Sequence, residues 1–177
     1  TSNMVVDQPD TMQDVPMRLP QFEAWVNALE EIGADAVPVA YYELYQALET
    51  GVVESSEGPI QQFVDGSLYE VQTHFSQTDH LLQTFKWVIN EEFWQEIPSE
   101  DQEQVQEALS EATAWAREQT LNEADDLLQM VQDEYDITVT PGDDIDQEAF
   151  AEAAAPALEQ FFQEDWLPTR EEVMDLA

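Results

Sequence analysis

Between positions 17 and 59 the sequence alternates short apolar runs with segments of helical period, and Gly or Pro marks most of the changes. Met17-Arg18-Leu19 reads as a strand ended by Pro20. Phe22, Trp25, Val26, Leu29 and Ile32 then recur at three and four residues, the spacing of an amphipathic helix, which Gly33 stops. Ala36-Val37-Pro38-Val39 reads as a second strand. A second helix is predicted from about Tyr42, with Leu44, Tyr45 and Leu48 on one face and Gly51 as its C-terminal stop. Val52-Val53 reads as a third strand before the turn-prone Ser55-Ser56-Glu57-Gly58-Pro59. Strand–helix–strand–helix–strand in so short a span predicts a parallel sheet of α/β class. Ligands of such sheets usually sit beyond the carboxyl ends of the strands. Arg18, Tyr41 and the Glu57-Gly58-Pro59 turn all fall at such ends.

The rest of the chain is read more coarsely. Residues 1–16 are predicted to be extended, since Pro9 and Pro16 oppose helix. Two extended segments are predicted near 73–78 and 81–89. Ser99 is predicted to cap a helix, with Gln102 at the capping-box position. Val105, Leu109, Ala112, Trp115 and Ala116 form its apolar face, which continues past Leu121 to Val131. Ile137-Thr138-Val139 reads as a short strand. A last helix is predicted over 146–165, burying Phe150, Leu158, Phe161 and Phe162.

Charge sets the conditions under which any of this can fold. Forty Asp and Glu face four Lys and Arg, a formal net charge of −36 over 177 residues. Repulsion on that scale opposes a compact state in dilute buffer. At about 1 M salt the screening length falls to about 3 Å, and the repulsion largely disappears. The acids are spread along the chain instead of forming an interaction tail, so adaptation to brine explains them better than a basic partner does. A disordered acidic chain is excluded, because hydrophobic residues make up 43% and include eight Phe, five Trp and five Tyr. Nucleic-acid binding is excluded for want of a basic patch. No apolar run approaches the ~18 residues that span a bilayer, and residues 1–14 are too polar for a signal peptide. With no cysteine, thiol chemistry and disulfides are absent.

The order of residues from Arg18 onward resembles one family. Met17-Arg18-Leu19-Pro20 is similar to the Ile/Leu-Arg-Val-Pro strand of solute-binding proteins of tripartite ATP-independent (TRAP) transporters, the DctP family. Gly33-Ala34-Asp35-Ala36-Val37-Pro38-Val39-Ala40-Tyr41-Tyr42-Glu43-Leu44-Tyr45-Gln46-Ala47-Leu48 resembles the family's Gly-Ala-x-Pro-x-Pro-Met-Ala-Phe/Tyr-x-Glu-x-Tyr-x-Ala-Leu block. Gly51 to Pro59 resembles Gly-x-Val-Asp-Gly-x-Glu-Asn-Pro. Tyr69-Glu70-Val71 with Thr78-Asp79-His80, then Asn90, Trp94 and Ile97-Pro98, follow in family order. The resemblance implies one lobe, hinge and C-terminal helices of a type II periplasmic-binding-protein-like fold, with the first lobe and the secretion signal missing from a truncated chain. It divides the chain into a lead-in at 1–16, a ligand-binding lobe with hinge strands at 17–90, and a mainly helical part at 91–177. It further implies an extracytoplasmic protein that binds a small organic acid and delivers it to a membrane permease. No cofactor is implied.

In the family the strand Arg grips the ligand carboxylate, a role the resemblance carries to Arg18. A guanidinium presents a rigid fork that matches both oxygens, which Lys cannot do. The alternative is an ordinary ion pair among so many acids. Tyr41 stands where the family packs an aromatic ring over the ligand; its alternative is core packing. Gly58 replaces the family's Asn, so a backbone N–H substitutes or that contact is lost. Glu57 keeps the preceding acid, in a structural role, because it would repel an anion. The family's Asp-Gly at Glu54-Ser55 and its Gly at Asp14 are also altered. His74 and His80 lack a third ligand for a metal, and His80 is expected to be hydrogen-bonded. Asp143-Asp144-Ile145-Asp146 lacks a calcium-loop pattern and reads as a turn and helix start. No catalytic constellation stands out. A lobe with only a structural or interaction role and, more remotely, a hydrolase using paired carboxylates are the competing readings.

Overall fold

A computed structural model of the protein describes residues 1–81 and 85–161. Pro16–Leu19 (β1) lies at the centre of a three-stranded parallel sheet, between Asp35–Pro38 (β2) and Ser55–Ser56 (β3). Arg18 sits opposite Val37 on one side and Ser56 on the other. The crossovers are Glu23–Ile32 (α1) and Leu44–Glu49 (α2). Ile60–Asp65 (α3) leads to His74–Ser76 (β4), and Glu91–Glu96 (α4) precedes the 37-residue helix Ser99–Tyr135 (α5). Thr138–Thr140 (β5) pairs in parallel with β4, and Gln147–Phe161 (α6) ends the described chain.

Strand alternation sorts the side chains into two cores. Met17 and Leu19 point to one face of the sheet, where they meet Leu29 and Ile32 of α1 and Phe150 of α6. Val37 and Val39 point to the other, onto Leu44, Leu48, Val53, Ile60 and Phe63. Arg18 shares that second face with its register partner Val37. α1 ends as its sequence demands. Gly33 takes φ +114°, its N–H and that of Ala34 both reach the carbonyl of Leu29, and a left-handed cap closes the helix.

Several expectations are corrected. A 3-10 turn at Tyr41–Glu43 replaces the predicted start of the second helix, so α2 begins at Leu44. The third strand is Ser55–Ser56, not Val52-Val53, because the N–H groups of both valines are used to close α2 on the Ala47 carbonyl. Val53 is nonetheless buried under α2 and α3. The lead-in contains a 3-10 turn at Pro9–Met12 and contributes Val6 and Met12 to a core. Asp14, where the family has Gly, takes a left-handed φ of 60°.

Ser99 does not cap α5. Pro98 occupies that position, and Gln102 turns its amide to the carbonyls of Trp94 and Ile97, fastening α4 to α5. The expected apolar face of α5 is exposed at Val105, Ala112, Trp115 and Ala116, because the helix packs only from about Ala124 to Val131. Phe85, Trp87, Val88 and Ile89 are exposed as well, and residues 85–90 form no strand. In the last helix Phe150 is buried but Leu158 is exposed. The side chain of Phe161, Phe162 and the expected end at 165 lie outside the described residues. No helix among the described residues is long and apolar enough to cross a membrane.

Candidate functional site

Parallel strands place their carboxyl ends side by side, so the residues that follow β1, β2 and β3 meet at one edge of the sheet. Arg18 occupies that edge and is 5% exposed. Its Nε donates to the carbonyl of Val39 at 2.8 Å, just beyond β2. Its guanidinium carbon stands 6.0 Å from the centre of the Tyr41 ring, within reach of a cation–π contact. Burial lowers the Arg18 pKa, while the nearby Glu57 charge and then Tyr41 raise it. Guanidinium remains protonated at any working pH. Among the described residues no Asp or Glu oxygen lies within 4.0 Å of it. The ordinary surface ion pair is therefore not what this arginine makes.

Tyr41 is 54% exposed and Tyr42 85%, so neither ring is a core side chain. Tyr41 lines a cavity of about 210 Å³ together with Tyr45, Gln62 and Leu68. Glu57 and Gly58 line a larger one, about 300 Å³, with an apolar floor of Met17, Leu29 and Phe150 and a polar rim including Ser56, Thr78 and His80. Arg18 lines neither. Its guanidinium approaches the Tyr41 ring, and Tyr41 lines the smaller cavity.

Glu57 is held on the far side by His80, whose Nε2 lies 3.9 Å from its carboxylate and whose Nδ1 is paired with the Thr78 hydroxyl at 2.6 Å. That chain fits a structural acid and a hydrogen-bonded histidine. His74 pairs separately with Thr73, and among the described residues no three His, Asp or Glu side chains gather as a metal site. Asp143 and Asp144 form a 3-10 turn, and Asp146 caps α6 by accepting from the Ala149 N–H at 3.0 Å. Gly58 has φ +152°, a conformation side chains rarely adopt, and the amide of Gln62 fills the space above it. Gln62 was not legible beforehand. Its only sequence signal is the Pro59-Ile60…Phe63 spacing of a short helix.

An edge that buries a cation with no carboxylate within 4.0 Å among the described residues, and Glu57 only at longer range, is suited to an anionic ligand. Comparison with known proteins then decides the family. Residues 1–165 match the bacterial extracellular solute-binding proteins, family 7 (DctP). The chain belongs to this family. Among DctP-family relatives, a solute-binding protein of Chromohalobacter salexigens is 29% identical over 159 residues, 90% of this chain and 46% of that protein. The ectoine-binding periplasmic protein TeaA of Halomonas elongata is 27% identical over 164 residues, 92% of this chain and 48% of its own. A TRAP periplasmic solute-binding protein of Fusobacterium nucleatum with bound sn-glycerol-3-phosphate superposes at TM-score 0.83 with 26% identity, covering 98% of this chain and 55% of that one. One from Chromohalobacter salexigens with bound D-glucuronate gives 0.79 and 26%, covering 93% and 54%. The chain thus spans about half the length of the DctP-family proteins it matches.

Proposed function

We propose that this chain is the part of a TRAP solute-binding protein that grips a small carboxylate-bearing organic solute through Arg18. The complete protein works outside the cytoplasmic membrane and passes the solute to a membrane permease. The observation that carries this reading is a buried guanidinium at a strand end with no carboxylate of its own within 4.0 Å among the described residues. Such a group is stabilised by a bidentate anion brought to it. Tyr41 covers the guanidinium from the solvent side, and Glu57 serves the turn and not the ligand. Related proteins carry D-glucuronate, L-galactonate and β-D-galacturonate, all carboxylates, and one carries sn-glycerol-3-phosphate, an anion that the same guanidinium fork fits. A purely structural lobe is the second reading, favoured by Arg18's lining neither of the two cavities.

Calorimetric titration of the complete protein with organic acids, in about 2 M salt, separates the two. Removing one partner of a desolvated charge pair costs about 2–5 kcal/mol, so Arg18→Ala is expected to lose at least thirtyfold in affinity. Arg18→Lys keeps the charge, loses the fork, and falls between. Undiminished binding by Arg18→Ala would falsify the assignment.

A further inference from the structure

We propose that Gln62 is a specificity-determining residue of this site, whose side-chain carbonyl accepts a hydrogen bond from a hydroxyl of the bound acid. The inference rests on the reading of Arg18 as the anion anchor. Gln62 Nε2 donates to the backbone carbonyl of Glu57 at 3.1 Å. Because a backbone carbonyl only accepts, this bond fixes which end of the amide is nitrogen. Oε1 then points away from that bond, and no donor engages it among the described residues. The amide lies over Gly58 so closely that a Cβ there would stand 2.5 Å from Nε2 and 2.8 Å from Oε1. A residue with a side chain at position 58 would displace it. Glycine at 58 and glutamine at 62 are therefore one device: the absent side chain makes room for the polar group supplied from α3.

Gln62 also lines the cavity that Tyr41 lines, and the Tyr41 ring adjoins the Arg18 guanidinium. An acid held by Arg18 that extended past the Tyr41 ring into this cavity would come to Gln62, whose Oε1 is the acceptor left open. That oxygen is a neutral acceptor. It takes an O–H without repelling the carboxylate, which a charged acid such as Glu57 would do. Sites that hydrogen-bond a substrate hydroxyl reject analogues lacking it, because the protein group is left unpaired.

The test is titration of the complete protein in about 2 M salt with paired probes: gluconate and hexanoate, malate and succinate, glycerate and propionate. In at least one pair the wild type is expected to bind the hydroxylated acid about tenfold tighter, the effect of one neutral hydrogen bond. Gln62→Leu and the volume-conserving Gln62→Met are expected to erase that preference while changing affinity for the hydroxyl-free partner less than twofold. A merely structural amide would weaken both members of a pair alike. Arg18→Ala, run beside them, weakens both members alike; undiminished binding there overturns the anchor and with it the site in which Gln62 is placed, whereas a preference that survives in the Gln62 variants overturns the role of Gln62 alone. The proposal is overturned if no pair shows the preference, or if the preference survives in both Gln62 variants.

Discussion

Arg18 illustrates how a residue can be placed against stability. Its guanidinium is buried with one intramolecular hydrogen bond, to the Val39 carbonyl, and no carboxylate within 4.0 Å among the described residues. Bringing an ion to such a position costs several kcal/mol of solvation, and apolar replacement of buried ionic groups is often neutral or stabilising. Arg18→Met keeps a similar length and removes the charge. The variant is expected to unfold at the same urea concentration as the wild type or higher, by up to about 2 kcal/mol, while losing solute binding. A loss of more than 1 kcal/mol would instead make Arg18 a structural residue that braces the β1–β2 edge. Tyr41 shows the same bias at lower cost. Its ring is 54% exposed, where core burial would have been worth more to the fold.

At the scale of elements, helix ends are where local chemistry is most exacting. The α1 stop requires φ +114° at position 33, and a Cβ there would come within 1.9 Å of the Gln13 amide, which itself bonds the Ile32 carbonyl. Gly33→Ala is expected to cost about 1–2 kcal/mol in urea melts at constant high salt, since the strain cannot be relieved without undoing the cap. A cost under a few tenths of a kcal/mol would show that the turn re-forms freely. The same chemistry explains what the sequence made legible. Gly33 and Gly51 punctuated α1 and α2 correctly, and the alternation of period gave the parallel sheet. Parallel strands in turn made it predictable that Arg18, Tyr41, Glu57 and Gly58 share one edge. What failed had different causes. Val52-Val53 looked like a strand because it is apolar, but helix closure had already taken its N–H groups. α3 carries only two fully buried apolar positions, Ile60 and Phe63, too few to show a period. Gln62 was invisible for a further reason: nothing in a glutamine announces that the glycine four residues earlier has left room for its amide.

At the scale of the molecule, charge decides both folding and access to the site. Four Lys and Arg face forty Asp and Glu, a net charge of −36, so few favourable pairs can form. Salt therefore has almost no favourable pairing to weaken and much repulsion to screen. The screening length falls from about 10 Å at 0.1 M to about 3 Å at 1 M and changes little beyond. The melting temperature in KCl is accordingly expected to climb steeply up to about 1 M and then flatten. Salts that act by exclusion from apolar surface give instead a rise that continues with concentration, so the shape of the curve separates the two causes. A melt insensitive to KCl below 1 M would remove self-repulsion as the reason for brine. The same field bears on function. On the reading proposed above, an anionic solute approaching this surface is repelled over about 10 Å at 0.1 M salt and over about 3 Å at 1 M. Association rates for an organic anion are thus expected to rise with salt, opposite to the fall seen when charges of opposite sign steer an encounter. Stopped-flow mixing of the complete protein at 0.5 M and 2 M KCl measures the sign directly, and a rate that falls across that range would mean that the site draws its solute by long-range attraction after all.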